Sequence, residues 1–398
     1  MLKLKHHRLI FYRLHLFIFL TVLMTGARCS SANPAPSTPP LPSTLGSSSI
    51  EVALLVPTSG ELNTVGRQLR QGAIMAFDRW NEVGGINGHP IVWRVYDTGC
   101  DYESGRATTA QAIADGIRFI IGPLCSEAAI GAAVAVEGQP VLLIAPTATH
   151  PLVTVTGDGQ TRPTVFRISY AFPQEGQAAA RFSRENLAVQ QAALLIPTGD
   201  QYATATATGF AQTFVDLGGQ LVYEGQYDPA QGDLSTALTT LIAAEAQLIY
   251  MPDPAAVAPL EASLQTFTPL PQLTLLGGDR WSQLALPSTA KPARYITTQL
   301  FLNQADPIQQ AWIDDYQAGY AIAPDTLAVL GYDAAHVLAQ ALQQTDPLDA
   351  ARLAATLAQG EFEALTGPIR FDPQHNPLKP IPVVQLSPTG AVLTATIR

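Results

Sequence analysis

Basic side chains are in short supply in this chain: 22 Lys and Arg stand against 32 Asp and Glu, with a pI near 5.1. Nucleic-acid binding rewards clustered Lys and Arg, and so does a basic membrane-surface patch; both are excluded as principal functions. Charge is sparse overall, at 14% of residues. No phosphate-binding GxxxxGK[ST] loop occurs, no GxGxxG follows a strand, and no GxSxG elbow is present. Only four histidines lie beyond residue 28, His89, His150, His336 and His375, with no spacing suited to a metal. Together these absences argue against an enzyme and imply no cofactor and no metal site.

Long apolar runs are also missing after the N-terminus, so no later stretch reads as a membrane span. The N-terminus itself is different. Lys3, Lys5, Arg8 and Arg13 precede an apolar run from Leu14 to Met24, and Gly26, Ala27 and Arg28 follow. This is the order of a secretory signal, here assigned to residues 1–28. Its removal leaves 17 basic against 32 acidic residues, a formal charge of −15. Cys29 stands where the thiol of a bacterial lipoprotein would be lipidated, although Gly26 and Arg28 depart from the usual lipobox. Residues 29–49 are rich in Pro, Ser and Thr, and read as an extended tether. The expected location is therefore the periplasm or the outer face of the cytoplasmic membrane, with membrane contact only through the lipid anchor. The two remaining cysteines, Cys100 and Cys125, could pair in such an oxidising compartment.

From Ile50 the chain alternates short apolar runs with helical patterns. Residues 50–57 read as a strand, 66–83 as a helix ended by Gly84 and Gly85, and 91–97 as a strand. A helix over 104–115, a strand over 119–122, a helix over 126–137 and a strand over 140–146 continue the βαβ scheme. The scheme then restarts. Residues 192–201 (AALLIPTGDQ) echo 52–61 (VALLVPTSGE), and each is followed by a helix, a Gly-Gly pair and a strand ending Tyr-Asp. This predicts an α/β fold of two Rossmann-like lobes with parallel sheets. Ligands of such sheets bind beyond the carboxyl ends of the strands, so the residues directly after each strand are the candidates.

Those loops carry a specific resemblance. SGELNTVGRQLRQGAIMAFDRWNEVGGINGHPI (59–91), YDTGCD (96–101), IIGPLCSE (120–127), IAPTATHP (144–151), LGGDRW (276–281) and LTGPIRFDPQHNPL (365–378) resemble the periplasmic leucine/isoleucine/valine-binding protein family. The resemblance covers nearly all of residues 50–398. It implies the type I periplasmic binding fold, with two lobes joined by a three-strand hinge. Lobe 1 is expected over 50–168 and 298–368, and lobe 2 over 169–297 and 369–398, with crossovers near 167–170, 295–300 and 366–371. It also implies a Cys100–Cys125 disulfide, in agreement with both cysteines following neighbouring predicted strands.

For the site, the resemblance implies a small zwitterionic ligand, an amino acid or related amide, held between the lobes. Ser126 would take its carboxylate at the start of a helix, with Thr149 holding the zwitterion and Thr147 adding backbone atoms. Tyr202 would pack over the ligand and Asp279 would pair with its ammonium group. His150 reads as a solvent-facing loop residue. Arg280 is either a local partner or a sign of an acidic ligand. Val65 and the Asp253–Pro254 pair stand where the family often has aromatics, so the side-chain half of the pocket is altered. The implied partner is an ABC permease in the membrane; an exported sensor of the same fold is the alternative.

Overall fold

The structure is a computed structural model and describes residues 49–230, 234–267, 272–284, 293–345, 349–387 and 390–398. The expected signal, Cys29 and all but the last residue of the tether lie outside the described residues. Among the described residues, no helix is long and apolar enough to cross a membrane.

The first sheet is built as anticipated. It runs through β1 (Ile50–Val56), α1 (Asn63–Glu82), β2 (Ile91–Asp97), α2 (Tyr102–Ala114), β3 (Phe119–Ile121), α3 (Ser126–Val136), β4 (Leu142–Ala145) and β5 (Val165–Arg167). All its pairings are parallel, in the order β2-β1-β3-β4-β5. The second half contains α4 (Phe172–Arg181), β6 (Gln191–Pro197), α5 (Gln201–Asp216), β7 (Gln220–Tyr227), α6 (Ser235–Ala243), β8 (Leu248–Tyr250), α7 (Val257–Leu264), β9 (Thr274–Gly277) and β10 (Ala293–Thr297). Its five strands repeat the same order, β7-β6-β8-β9-β10, again parallel. The echo between 52–61 and 192–201 thus marks β1 and β6, equivalent strands of two equivalent sheets.

The chain then returns through α8 (Pro307–Tyr320), α9 (Thr326–Gln344), α10 (Ala350–Gln359), and the short pair β11 (Arg370–Phe371) and β12 (Pro377–Leu378). It ends in β13 (Ile381–Ser387) and β14 (Gly390–Ile397), which extend the second sheet antiparallel beyond β10.

Strand residues alternate between two cores on each sheet. Val52, Leu54, Ile121, Leu142 and Phe166 face α1, α8 and α9, while Ala53, Leu55, Ile120 and Leu143 face the α2–α3 layer. In the second sheet Leu194, Leu248 and Tyr250 oppose α4 and α5, and Leu195, Ile249 and Leu275 oppose α6 and α7. This is the pattern of sheets covered on both faces. Helix pairs approach through reciprocal glycines: a Cβ on Gly72 would sit 1.8 Å from the Ala328 carbonyl oxygen, and one on Gly176 1.9 Å from that of Thr206. Gly331 and Gly209 play the same part from the opposing helices α9 and α5.

The chain passes three times between the cores of the two sheets. Ile168 belongs to the first core and Tyr170 to the second; Ile296 packs in the second, and Leu300 packs against the first. At the third passage the chain stays with the first core through the β11–β12 turn. Ile369 and Phe371 pack into the first core, and the chain reaches the second at Ile381. The reason is local: the β11–β12 turn folds back on β5, where His375 stacks on Phe166 at 3.9 Å and Phe371 meets that ring edge-on.

Candidate functional site

Five strand ends converge on one cleft of about 630 Å³. The first sheet contributes Ser126 after β3 and His150 after β4; the second contributes Tyr202 after β6, Asp253 after β8 and Arg280 after β9. Phe172, at the start of α4 just beyond the first crossover, closes one side. The parallel order explains the convergence, since it aims every β-to-α loop of a sheet toward the same edge.

On the first-sheet side, α3 begins at Ser126, with Cys125 as its N-cap. Ser126 does not cap its own helix. Its Oγ accepts from the backbone N–H groups of Thr149, at 3.2 Å, and His150, at 3.3 Å. The hydroxyl therefore ties the β3 and β4 loops together at the cleft floor. The Thr147 hydroxyl donates to the Leu124 carbonyl at 2.6 Å, a second tie between the same loops. Cys100 and Cys125 are joined as a disulfide, linking the loop after β2 to the start of α3. His150 is not a solvent-facing residue: it is half-buried, accepts from Leu152 N–H at Nδ1 and meets Phe172 edge-on at 6.1 Å. Burial pushes its pKa below the ordinary value, so it faces the cleft as a neutral imidazole near pH 7.

On the second-sheet side, Tyr202 is buried, with its hydroxyl donating to Glu175 Oε1 at 3.0 Å and its ring edge-on to Phe172. The Arg280 guanidinium lies 4.0 Å over the Tyr202 ring and pairs with Asp200 at 2.5 Å. Asp200 also caps α5 by accepting from Ala203 N–H. Arg280 is thus held by a carboxylate and a π face together. Asp253 accepts from the Tyr227 hydroxyl and from Ala255 N–H.

Asp279 sits one layer back. Its Oδ1 accepts from the Thr298 hydroxyl at 2.7 Å and from Gln299 N–H at 3.0 Å, which anchors it to the second crossover. Its own N–H donates to Glu175 Oε1. Glu175 is fully enclosed, and burial, reinforced by the nearby Asp279 charge, pushes its pKa from 4.5 up to about 8. It stands neutral at pH 7 as the hub of a network that joins Tyr202, Asp279 and Thr297.

Of the five residues singled out in the sequence, Ser126 and Tyr202 line the cleft directly. Thr149 is one hydrogen bond behind its wall, through Ser126, and Asp279 is two behind, through Glu175 and Tyr202. Thr147 turns its hydroxyl away to Leu124. Sequence reasoning missed Phe172, Glu175 and Asp200. Glu175 carried a signal: it falls on the face of α4 that buries Ala178 and Ala179, an odd place for a carboxylate. Among the described residues no group of acids, histidines or cysteines could hold a metal ion.

Comparison with known proteins agrees with this geometry. The periplasmic binding protein family matches residues 49–391. A leucine-, isoleucine-, valine-, threonine- and alanine-binding protein from Pseudomonas aeruginosa is 27% identical over 331 residues, 82% of this chain and 87% of that one. Further Leu/Ile/Val-binding relatives are matched over 53% of their length. A leucine binding protein from Thermotoga maritima shares the fold with a TM-score of 0.66 at 23% identity, over 88% of this chain and 99% of that one. A solute binding protein of an ABC transporter from R. palustris, solved in complex with benzoate, does so with a TM-score of 0.64 at 20% identity, over 87% and 96%. A parallel sheet, a mixed sheet whose five parallel strands repeat its order, strand-end loops facing one cleft and a family match over residues 49–391 place this protein in the periplasmic binding protein family.

Proposed function

We propose that the chain is the extracytoplasmic solute-binding component of an ABC importer, and that it takes an α-amino acid or a close relative into the cleft between its two lobes. One observation carries the reading: loops from the ends of both sheets wall a single cleft, with Ser126 and Tyr202 on opposite sides. A volume of about 630 Å³ suits a small solute. The ligand carboxylate would lie at Ser126 and the loop N–H groups it gathers, beside the first turn of α3. Asp279 would pair with the ligand ammonium through Oδ2, the oxygen outside its bonds to Thr298 and Gln299, once ligand binding brings it from behind the wall into the cleft. Tyr202 offers the flat face, at present covered by Arg280.

Contacts from both lobes favour the closed arrangement by as much as the ligand prefers it over the open one. The closed form is the one a permease would read, and lipidation at Cys29 would keep the protein at the membrane. The relative from Pseudomonas aeruginosa, named for five amino acids, supports this ligand class. The R. palustris protein bound to benzoate favours a second reading, an aromatic carboxylate without an amine.

A thermal-shift screen of the common L-amino acids, with benzoate alongside, separates the readings, because a ligand that binds only the folded form raises the melting point. Stabilisation by an amino acid and not by benzoate supports the proposal. Stabilisation by benzoate alone supports the aromatic acid. No response to any of them contradicts both.

A further inference from the structure

A second pocket of about 500 Å³, sharing no lining residue with the cleft, runs along α4 from Gln174 to Arg181. Phe172 at the helix start faces the cleft, whereas Arg181 at its end faces this pocket. Its walls come from both sides of the third crossover: Arg370 and Lys379 from the β11–β12 segment, Arg181 and Arg398 from the second lobe. Four of the 17 basic residues beyond residue 28 therefore meet in one place, in a chain whose balance is strongly acidic. Among the described residues, Glu361 is the one acidic side chain in its lining.

The ion pairs there are loose. Arg370 stands 3.6 Å from Glu361 and Arg181 stands 3.6 Å from Glu185, both beyond hydrogen-bond length, and all four side chains are well exposed. Arg398 makes no ion pair among the described residues. Lys379 is buried, donates to the Thr366 hydroxyl at 3.0 Å and lies over the Tyr170 ring. Its charge is answered from behind by the buried Asp333, which accepts from the same Thr366 hydroxyl. Among the described residues, the cations left at the rim are three arginines, Arg181 and Arg370 in loose exposed ion pairs and Arg398 in none. Between them the wall has an apolar stretch of Pro377, Pro380, Ile381 and Ile397, with Gln174 and Gln177 of α4 also in the lining.

The geometry points to an accessory binding site at the hinge for a small organic anion: an apolar body seated on the proline-rich wall, with a phosphate- or carboxylate-class group held by Arg181, Arg370 and Arg398. Guanidinium groups suit such oxyanions because they offer paired donors in one plane. An apolar wall flanked by exposed arginines matches an amphiphilic anion better than a bare inorganic ion, which would leave the wall unfilled.

Phenyl phosphate is a suitable probe, with inorganic phosphate and phenol as controls. Calorimetric titration of the full chain is expected to show phenyl phosphate binding more tightly than either control. The Arg181→Gln/Arg370→Gln variant is expected to weaken it by about tenfold or more, and Arg398→Gln to weaken it to a smaller degree. These side chains are exposed, so an unchanged melting point serves as the check on folding. Arg280→Gln, in the cleft, is expected to leave probe binding unchanged. Three results overturn the inference: no binding at millimolar probe, equal binding of phosphate and phenyl phosphate, or loss of binding in Arg280→Gln with none in the double variant, which would put the probe in the cleft.

Discussion

Glu175 makes the stability of this protein depend on pH in an unusual direction. Its carboxyl is enclosed beside Tyr202, Tyr250 and Asp279, and its pKa is pushed from 4.5 up to about 8, chiefly by burial. In the unfolded chain it titrates near the ordinary value. Between those two values the folded state binds the proton and the unfolded state does not. Stability contributed by this group is therefore complete below pH 4.5 and is lost progressively as pH rises toward 8. One pH unit corresponds to about 1.4 kcal/mol, so the full span approaches roughly 5 kcal/mol as an upper figure. Glu175→Gln keeps an acceptor oxygen for Tyr202 and for the Asp279 N–H and cannot ionise. Urea unfolding of both proteins at pH 5, 6, 7 and 8 isolates the effect, because every other titrating group is common to the pair. The variant should gain on the parent by about 1 kcal/mol or more per unit across this range. Parallel stability curves would refute the buried neutral carboxyl and with it the proposed hub behind Tyr202.

Further expectations follow from the same geometry. Ser126→Ala should weaken amino-acid binding by about tenfold, since it removes the hydroxyl and frees the two N–H groups that it gathers; calorimetry checks this. Asp279→Ala should weaken an amine-bearing ligand severely while sparing its des-amino analogue, and equal losses for both would remove Asp279 from ammonium binding. Replacing Cys100 and Cys125 together by serine should cost about 3–4 kcal/mol of unfolding free energy on the chain-entropy model for the loop closed between them. Gly72→Ala should destabilise by roughly 1–3 kcal/mol, read as a fall in denaturation midpoint, because its Cβ would meet the Ala328 carbonyl.

Much of the fold was legible because the elements are locally consistent. The apolar runs at 50–57 and 192–197 are β-branched or leucine-rich, end in proline and precede helical periodicity, so strand, turn and helix all agree. The helix face of Leu69, Ala73, Ala76 and Phe77 is buried as its spacing requires. The packing of LTGPIRFD was not legible, because it reads as extended chain wherever it packs; the contacts of Phe371 and His375 with Phe166 join it to the first core. The cleft wall was legible at its strand ends, since topology selects the loops after β3 and β6 and the family resemblance picks out Ser126 and Tyr202 within them. Its supporting layer was not. The bond from Tyr202 to Glu175 spans 27 residues, that from Asp279 to Glu175 spans 104, and the Arg280–Asp200 pair spans 80. Such contacts depend on how α4 and α5 dock onto the second sheet, which no local pattern encodes.

The account rests on a solute gripped by both lobes at once. Small-angle X-ray scattering of the full chain, with and without a saturating amount of whichever solute the thermal-shift screen returns, addresses this directly. The account predicts a smaller radius of gyration in the presence of the solute, as the lobes draw together about the three crossovers. Identical scattering with the solute demonstrably bound would contradict it.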